Sequence, residues 1–381
     1  MRCIVLFCLL LSTSITFAQE IDTIRVKTDT LRPARRQVRV KVDTLLLVKI
    51  DTLHKKDTVT VIGVGDIMMG TNYPDATRLP AEAGAGLMRE VEGILRDADL
   101  TFGNLEGVLL DSGGKAKSCR DPKVCYVFRS PEQYVDNLLS AGFDVISLAN
   151  NHAGDFGDEG RRSSMRALEK AGLYHAGQTS TPYTTFEKDG IRYGFTAFAP
   201  NSGCLSINDL AQATAIVQHL DSVADIVIVS FHGGAEGAQY EHVPRKHEIF
   251  YGEDRGNVYN FSHQLIDAGA DIIFGHGPHV TRAMEVYKDR FIAYSLGNFC
   301  TYRGISVNGV NGLAPIVKVY TDAKGKFFHA QLTATYQSYA TGVSVDPGKQ
   351  VIKKIRELTE KDFPDSTIHI DENGLITYLA Q

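Results

Sequence analysis

The sequence predicts an α/β fold in which a largely parallel or mixed sheet is covered by helices on both faces. From residue 59 onward, short apolar segments rich in β-branched residues alternate with longer segments whose apolar residues recur at helical spacing. After each of three helical segments, a glycine or alanine is followed within two residues by an aspartate, and the next apolar segment begins directly after it. These aspartates are Asp144, Asp225 and Asp271. Near-continuous apolar strands are typical of sheets that helices cover on both faces.

Five helices are predicted between these strands. The first covers residues 85–97, where Leu87, Val91 and Leu95 fall on one face. The second begins at Ser130-Pro131, a capping hydroxyl followed by a proline at the first helical position, and ends before Gly142. The other three helices are predicted to cover residues 158–171, 209–223 and 258–268.

The C-terminal part changes to an antiparallel pattern. Residues 316–320 and 327–336 predict two strands of a hairpin, joined by a turn at residues 322–325. We expect the folded domain to cover residues 59–345. Residues 346–381 are expected to add one short charged helix and a terminal strand.

The N-terminal residues predict export. Residues 1–18 resemble a secretory signal peptide, with Arg2, a short apolar core and small residues before the expected cleavage ahead of Gln19. An uncleaved anchor is the alternative, but the apolar core is shorter than the roughly 20 residues that span a bilayer. We therefore expect a protein of the periplasm, the cell envelope or the medium, without a transmembrane segment after cleavage.

Residues 19–58 predict an extended basic spacer, because Asp-Thr pairs recur there among Val, Leu, Lys and Arg without helical periodicity. A β-hairpin is the alternative for its second half. The net charge of the 381-residue chain is −5, so no overall basic field attracts nucleic acid. Cys119 and Cys125 could close a small disulfide loop or remain two unpaired thiols.

Six polar clusters follow apolar segments, at the position where α/β sheets bind ligands beyond the carboxyl ends of strands. Any one of them alone could be an ordinary turn or helix cap. Six in one chain predict a single site. The clusters are Gly65-Asp66, Asn104-Leu105-Glu106, Asn150-Asn151-His152, His232 with Glu236, Gly275-His276-Gly277-Pro278-His279 and Gly297-Asn298.

The chemistry of these clusters favours a divalent metal. They combine carboxylate and amide oxygens with imidazole nitrogens and contain no thiolate, which suits Mn²⁺, Fe²⁺ or Zn²⁺ better than Mg²⁺ or Ca²⁺. His232 and Glu236, separated by two glycines and an alanine, suit a metal ligand or a general acid or base. A metal in an exported cleft would support hydrolysis of an acyl or phosphoryl group.

The order of the clusters resembles the CapA capsule-synthesis family, whose best-known members serve poly-γ-glutamate production and export. The resemblance covers approximately residues 61–299. That family is similar to the calcineurin-like metallophosphoesterases, which implies a metallophosphoesterase-like four-layer α/β/β/α sandwich with mixed sheets. The motifs that carry the resemblance are Gly-Asp-Ile-Met, Gly-Asn-Leu-Glu-Gly, Ser-Leu-Ala-Asn-Asn-His-Ala-Gly-Asp-Phe-Gly, Ser-Phe-His-Gly-Gly-Ala-Glu, Gly-His-Gly-Pro-His-Val and Tyr-Ser-Leu-Gly-Asn-Phe.

The resemblance implies roles for individual residues. His152 would be a catalytic proton donor, and we expect Glu236 to be a second catalytic residue. Because Met68 stands where the phosphoesterases usually have a histidine, one or two ions are expected. The expected metal ligands are Asp66, Glu106, Asn151, His232, His276 and His279, and the expected substrate-binding residues are Asn104, Asn150 and Asn298.

Two functions of different kinds follow from this. The first is a metal-dependent hydrolase or transferase in the synthesis or processing of a capsule polymer of the poly-γ-glutamate type. Its substrate would be an anionic polymer or peptide, cleaved at a phosphoester or a γ-glutamyl amide, and its partners would include membrane proteins of capsule synthesis. The second is a non-catalytic assembly or export factor that binds polymer or partner proteins. A nucleotide phosphodiesterase is a third hypothesis, which is disfavoured because Met68 replaces the histidine that such enzymes usually have.

Overall fold

The computed structural model describes residues 56–119 and 125–378. The predicted signal peptide and almost all of the predicted spacer lie outside these residues. Within the described ranges, no helix combines the length and the apolar character that a membrane crossing requires.

The described residues form six α-helices. Four of the five predicted helices are confirmed within a few residues, and Gly142 and Gly172 end two of them in the left-handed conformation, as expected. The helix at 130–141 begins later than predicted, because Ser130 donates its hydroxyl to the carbonyl of Gly70 instead of capping the helix. The helices are α1 (Glu92–Leu95), α2 (Val135–Ala141), α3 (Gly157–Ala171), α4 (Leu210–Val223), α5 (Val258–Asp267) and α6 (Gln350–Asp362).

The predicted helix at 85–97 is mostly wrong, since only the four residues of α1 are helical. Its apolar spacing is correct, and Leu87, Val91 and Leu95 are all buried. However, Gly86 and Gly93 lie within this segment and Gly84 directly precedes it, and each glycine inside a helix costs about 1 kcal/mol relative to alanine. The chain therefore buries these side chains through a series of turns.

Ten strands form the larger sheet, and strands are numbered in chain order across the molecule. In this sheet, β1, β2, β5 and β6 are mutually parallel, β15 is parallel to β1, and β16 to β20 make antiparallel pairs. The order is β19-β20-β17-β16-β1-β2-β5-β6, with β15 beside β1 and β18 beside β17. The predicted hairpin is confirmed as β16 and β17. The strands are β1 (Val59–Met68), β2 (Leu100–Leu105), β5 (Val145–Ser147), β6 (Tyr174–Ala176), β15 (Asn298–Thr301), β16 (Leu313–Thr321), β17 (Phe327–Ser338), β18 (Gly342–Val345), β19 (Ile368–Ile370) and β20 (Leu375–Tyr378).

Six strands form the smaller sheet in the order β13-β14-β12-β9-β8-β7, with four parallel strands between two antiparallel edges. These strands are β7 (Tyr183–Lys188), β8 (Ile191–Phe198), β9 (Ile226–His232), β12 (Ile272–His276), β13 (Met284–Tyr287) and β14 (Arg290–Ala293). Two further strand pairs are β3 (Val108–Leu109) with β4 (Arg129–Ser130), and β10 (Ile249–Phe250) with β11 (Glu253–Asp254).

The two sheets pack face to face and helices cover their outer faces. Phe102 on β2 stacks on Phe274 on β12 with ring centroids 5.2 Å apart. Helices α1, α2 and α3 pack on the larger sheet, and α4 and α5 pack on the smaller one. The predicted four-layer α/β/β/α sandwich with mixed sheets is therefore confirmed.

An aspartate before each of four parallel strands ties that strand to its neighbour. Asp144 donates its backbone N–H to the carbonyl of Thr101, at 2.9 Å, and its carboxylate accepts the N–H of the same residue, at 2.9 Å. The same two bonds join Asp99 to Thr60, Asp225 to Arg192 and Asp271 to Val227. These aspartates set where each strand begins, and so which residues reach its carboxyl end.

Residues 346–381 were expected to extend the domain. In their described part, α6 contacts β16 and β17, while β19 and β20 add two strands to the edge of the larger sheet.

Candidate metal centre

The predicted site residues come together where the carboxyl ends of both sheets meet. Asp66 on β1 pairs in register with Asn104 on β2, and His232 on β9 pairs with His276 on β12. Asn298 follows β14, as the sequence suggested, and it also begins β15, after the chain has crossed from the smaller to the larger sheet. The site thus has two halves, one on the larger sheet with Asp66 and Asn104 and one on the smaller sheet with His232 and His276, and the crossing brings them close together.

Asp66 connects these halves. Its Oδ1 lies 3.0 Å from Nδ1 of His276 and its Oδ2 lies 3.1 Å from Nδ1 of His279. Asn104 donates its side-chain N–H to Asp66 Oδ1 at 2.9 Å. A carboxylate from the larger sheet thus orients two imidazoles of the smaller sheet, one at the last residue of β12 and one three residues after it.

Glu106 completes a three-residue cluster. Its Oε1 lies 3.5 Å from Nε2 of His279 and 3.9 Å from Nε2 of His152. Asp66, Glu106 and His279 each offer one ligand atom, and these atoms all lie within 4.8 Å of one another. Among the described residues, this is the group of acidic and imidazole side chains whose spacing suits one ion.

Several buried atoms of the expected ligands have no hydrogen-bond partner. They are both carboxylate oxygens of Glu106, both ring nitrogens of His232, Nε2 of His276 and Oδ1 of Asn151. Buried polar atoms are nearly always paired, because leaving one unpaired costs about 1–3 kcal/mol. Unpaired carboxylate and imidazole atoms in one place are the donor set of a divalent transition-metal ion, so the residues fit the expected metal.

Burial and charge shift the protonation of this cluster. Burial raises the pKa of Glu106 well above its usual range, and His279 opposes that shift. Burial disfavours the charged form of His279, but the charges of Glu106 and Asp66 outweigh it and raise the pKa of His279 to about 10. Burial lowers the pKa of His232 well below normal, and Arg255 adds to this effect. Asp66 keeps a depressed pKa despite its burial, because it accepts hydrogen bonds from His276 and His279.

His152 is held by a residue that the sequence reasoning did not assign. Its Nδ1 lies 2.8 Å from Oδ2 of Asp155, which is itself 2.6 Å from the ammonium of Lys117 through Oδ1. Because a carboxylate accepts, this contact places a proton on Nδ1 and turns Nε2 toward Glu106. Burial lowers the pKa of His152, while Asp155 raises it. Asp155 lies within the quoted motif Asn-Asn-His-Ala-Gly-Asp, so its spacing from His152 was the available signal.

The three asparagines expected to bind substrate are fully buried and hydrogen-bond to protein groups. Asn150 donates to Oδ1 of Asn104, at 3.2 Å, and accepts the backbone N–H of His152, at 3.1 Å. Asn298 donates to the carbonyl of His279, at 3.2 Å, and its Oδ1 lies 3.0 Å from Nδ1 of the same residue. In this structure, Asn104, Asn150 and Asn298 hold Asp66, His152 and His279, respectively, in place. Their role in substrate binding stays a prediction.

A cavity of about 560 Å³ opens onto the cluster. Asn151, His152 and His279 line it, and so does Glu236, which forms an ion pair with Arg255 at 3.2 Å. Other lining residues are the aromatic side chains Tyr126, Phe128, Phe250 and Tyr251. Cys119 also lines the cavity and is disulfide-bonded to Cys125, the first of the two alternatives for this pair.

Comparison with known proteins identifies relatives of this chain. Residues 60–303 match the family described as bacterial capsule synthesis protein PGA_cap. The chain is 30% identical to the capsule biosynthesis protein CapA of Bacillus anthracis, over 66% of this chain and 61% of that protein. It is 28% identical to the PGA biosynthesis protein CapA of Bacillus subtilis, over 66% and 65% of the two chains. The match thus spans under two thirds of the length of these two relatives.

Similarity to solved structures is more distant. A 5'-nucleotidase precursor from Thermus thermophilus is 13% identical, with a TM-score of 0.42, over 81% of this chain and 59% of that one. The calcineurin-like phosphoesterase YfkN from Bacillus subtilis is 13% identical, with a TM-score of 0.38, over 80% and 98% of the two chains.

Proposed function

The chain belongs to the bacterial capsule synthesis protein family, and from this membership we propose that it is a metal-dependent hydrolase or transferase that processes a capsule polymer of the poly-γ-glutamate type. We further propose that it works outside the cytoplasm, because residues 1–18 have the character of a signal peptide. Membrane proteins of capsule synthesis are its proposed partners.

The unpaired buried ligand atoms carry this proposal. Asp66, Glu106 and His279 would hold a divalent ion, with His276, His232 and Asn151 completing the set for one or two ions. Mn²⁺, Fe²⁺ or Zn²⁺ suits these oxygen and nitrogen donors. When bound, such an ion polarises an acyl or phosphoryl oxygen and stabilises the charge that develops on it.

The chain's own residues supply orientation and proton transfer. Asp155 holds the ring of His152 so that Nε2 faces Glu106, at 3.9 Å from its Oε1, on the side where the cavity opens. We propose that His152 exchanges a proton with the substrate there. Glu236, at the wall of the same cavity, is the proposed second acid or base, and it forms an ion pair with Arg255 at 3.2 Å.

Metal analysis of matched variants tests this proposal. The protein purified without chelators should contain at least about one equivalent of a divalent transition metal, and His276→Ala/His279→Ala should lose it together with hydrolysis of γ-glutamyl peptides or phosphoesters in added Mn²⁺. His242→Ala/His247→Ala is the control, since these exposed histidines contact Asp362 and Asp254 outside the cluster. A variant that loses the metal yet keeps its activity would contradict the proposal.

A non-catalytic role is the second candidate. Two relatives from Mycobacterium tuberculosis, each 27% identical to this chain, carry the name probable polyglutamine synthesis accessory protein. An accessory protein of this kind would bind polymer or partner proteins without turning over a substrate. Polymer binding by both the wild type and His276→Ala/His279→Ala, with hydrolysis by neither, would favour this candidate.

A further inference from the structure

The cavity that His152 and His279 line is also lined by a second group of polar side chains, Asn201, Glu253 and Arg255. Its centre is the carboxylate of Glu253, which lies at the start of β11. Oε1 of Glu253 accepts a hydrogen bond from Nδ2 of Asn201 at 2.7 Å, and Oε2 accepts one from Nη1 of Arg255 at 3.1 Å. One carboxylate therefore fixes an amide and a guanidinium side by side.

Both of these side chains keep one buried polar atom without a hydrogen-bond partner, namely Nη2 of Arg255 and Oδ1 of Asn201. Arg255 is only 2% exposed, and its Nε donates to the carbonyl of Gly234 at 3.2 Å. Its Nη2 lies 3.2 Å from Oε1 of Glu236, an ion pair without hydrogen-bond alignment. Unpaired buried polar groups are rare in native proteins, and a bound water, ion or ligand is one way in which their pairing is completed.

The chemistry of Glu253 determines which atoms are free. A carboxylate only accepts hydrogen bonds, so Asn201 must turn its N–H group toward Glu253 and leave its oxygen free. A guanidinium only donates, so Nη2 of Arg255, which has an ion-pair partner but no hydrogen-bond partner, is a donor. Two residues of the cavity lining thus hold one buried donor and one buried acceptor without hydrogen-bond partners, and the same carboxylate fixes both residues.

We propose that Asn201, Glu253 and Arg255 form a subsite for a secondary amide group of the substrate. The amide oxygen accepts a hydrogen bond from Nη2 of Arg255, and the amide N–H donates one to Oδ1 of Asn201. A phosphoester or a carboxylic ester offers acceptors but no donor, so it would leave Asn201 unpaired. This inference rests on the proposed function and narrows its substrate to an amide-linked chain.

A pair of ligands that differ in one group tests the subsite. The probes are γ-glutamylglutamate and its ester analogue, in which an oxygen replaces the amide N–H. Isothermal titration calorimetry with the metal-containing protein should show the amide binding roughly tenfold more tightly, since the ester leaves a buried acceptor unpaired. Mass spectrometry checks that both ligands remain intact during the titration.

Variants separate the subsite from a general effect on the loop. Asn201→Ala should bring the affinity ratio close to one. Asn208→Ala should keep the tenfold preference for the amide, although Asn208 also supports the β10–β11 pair by donating to the carbonyl of Asp254 at 3.0 Å.

Equal affinities of the wild type for the two ligands, or an amide preference that persists in Asn201→Ala, would overturn the inference. The wild-type comparison decides even if a variant fails to fold. An amide preference without hydrolysis would support the subsite and contradict only the proposed hydrolase.

Discussion

The carboxylate of Asp66 is bonded to both halves of the site, through Asn104 on the larger sheet and His276 on the smaller one. Its burial alone would raise its pKa, but the hydrogen bonds and charges of His276 and His279 outweigh burial and lower it. Glu106, in contrast, is buried without a hydrogen-bond partner and its pKa is raised. The two proposed metal ligands therefore differ in their surroundings. Hydrogen bonds hold the carboxylate of Asp66, whereas both carboxylate oxygens of Glu106 lack hydrogen-bond partners.

Asp155 is the residue whose replacement best isolates the positioning of His152. We expect Asp155→Asn to reduce kcat by about 100-fold, with unchanged metal content, because His152 loses the carboxylate that orients it. The charge of Asp155 also raises the pKa of His152 against the effect of burial. The His152 pKa, followed by NMR, should therefore fall further in the variant.

Asp158→Asn is the matched control, because Asp158 lies three residues further along, is exposed and belongs to the first turn of α3. It should change neither kcat nor the titration of His152. An unchanged His152 pKa in Asp155→Asn would refute the positioning role.

Metal binding should depend on pH in a direction that the protonation of the cluster sets. The pKa of His279 is raised to about 10, so the metal-free site holds at least one proton at pH 7. A metal must displace this proton, and its apparent affinity should therefore rise with pH from 7 toward 10. Calorimetry in two buffers of different ionisation enthalpy should detect the release of at least about one proton per ion. Binding without proton release at pH 7 would contradict this prediction.

Among the secondary-structure elements, the recurring aspartates predicted the strand starts better than apolar spacing predicted the helices. The repeated small residue and aspartate located the starts of β5, β9 and β12, because each aspartate bonds the neighbouring strand through both backbone and side chain. The same apolar period failed at 85–97, where glycines favour turns. The strand order was beyond prediction, since β15 and β16 pair with β1 across more than two hundred residues of sequence, and such pairing leaves no local pattern.

The strand end that carries Asp66 depends on a glycine. A Cβ on Gly65 would lie 2.0 Å from the backbone oxygen of Gly297, in the crossing between the sheets. We expect Gly65→Ala to destabilise the fold by about 3 kcal/mol and to weaken metal binding, because Asp66 donates its N–H to the same oxygen. Urea unfolding and metal titration measure the two effects.

Gly93→Ala is the control for this prediction, because Gly93 lies in α1 and a Cβ there would meet nothing within 4 Å. It should stabilise the protein by about 0.5–1 kcal/mol. Equal stabilities of Gly65→Ala and the wild type would show that the crossing tolerates a side chain and would contradict the account of the strand end.

At the scale of the molecule, the site exists because two sheets place their carboxyl ends at one edge. The sequence identified which clusters take part, since each follows an apolar strand with more polar groups than a turn requires. It did not identify Asn201, Glu253 or Arg255, which come from loops and a two-residue strand without such a pattern. The three asparagines that the sequence assigned to substrate bond to protein groups here, and their role in substrate binding stays a prediction.

The central claim is that Asp66, Glu106 and His279 bind one divalent ion, and a crystal structure of the protein grown with Mn²⁺ tests it most directly. Diffraction data collected on both sides of the manganese absorption edge locate the ion independently of the protein model. We expect an anomalous peak within bonding distance of one atom from each of these three residues, about 2.0–2.3 Å away. No peak in the cluster, or a peak bonded to none of the three, would contradict the account.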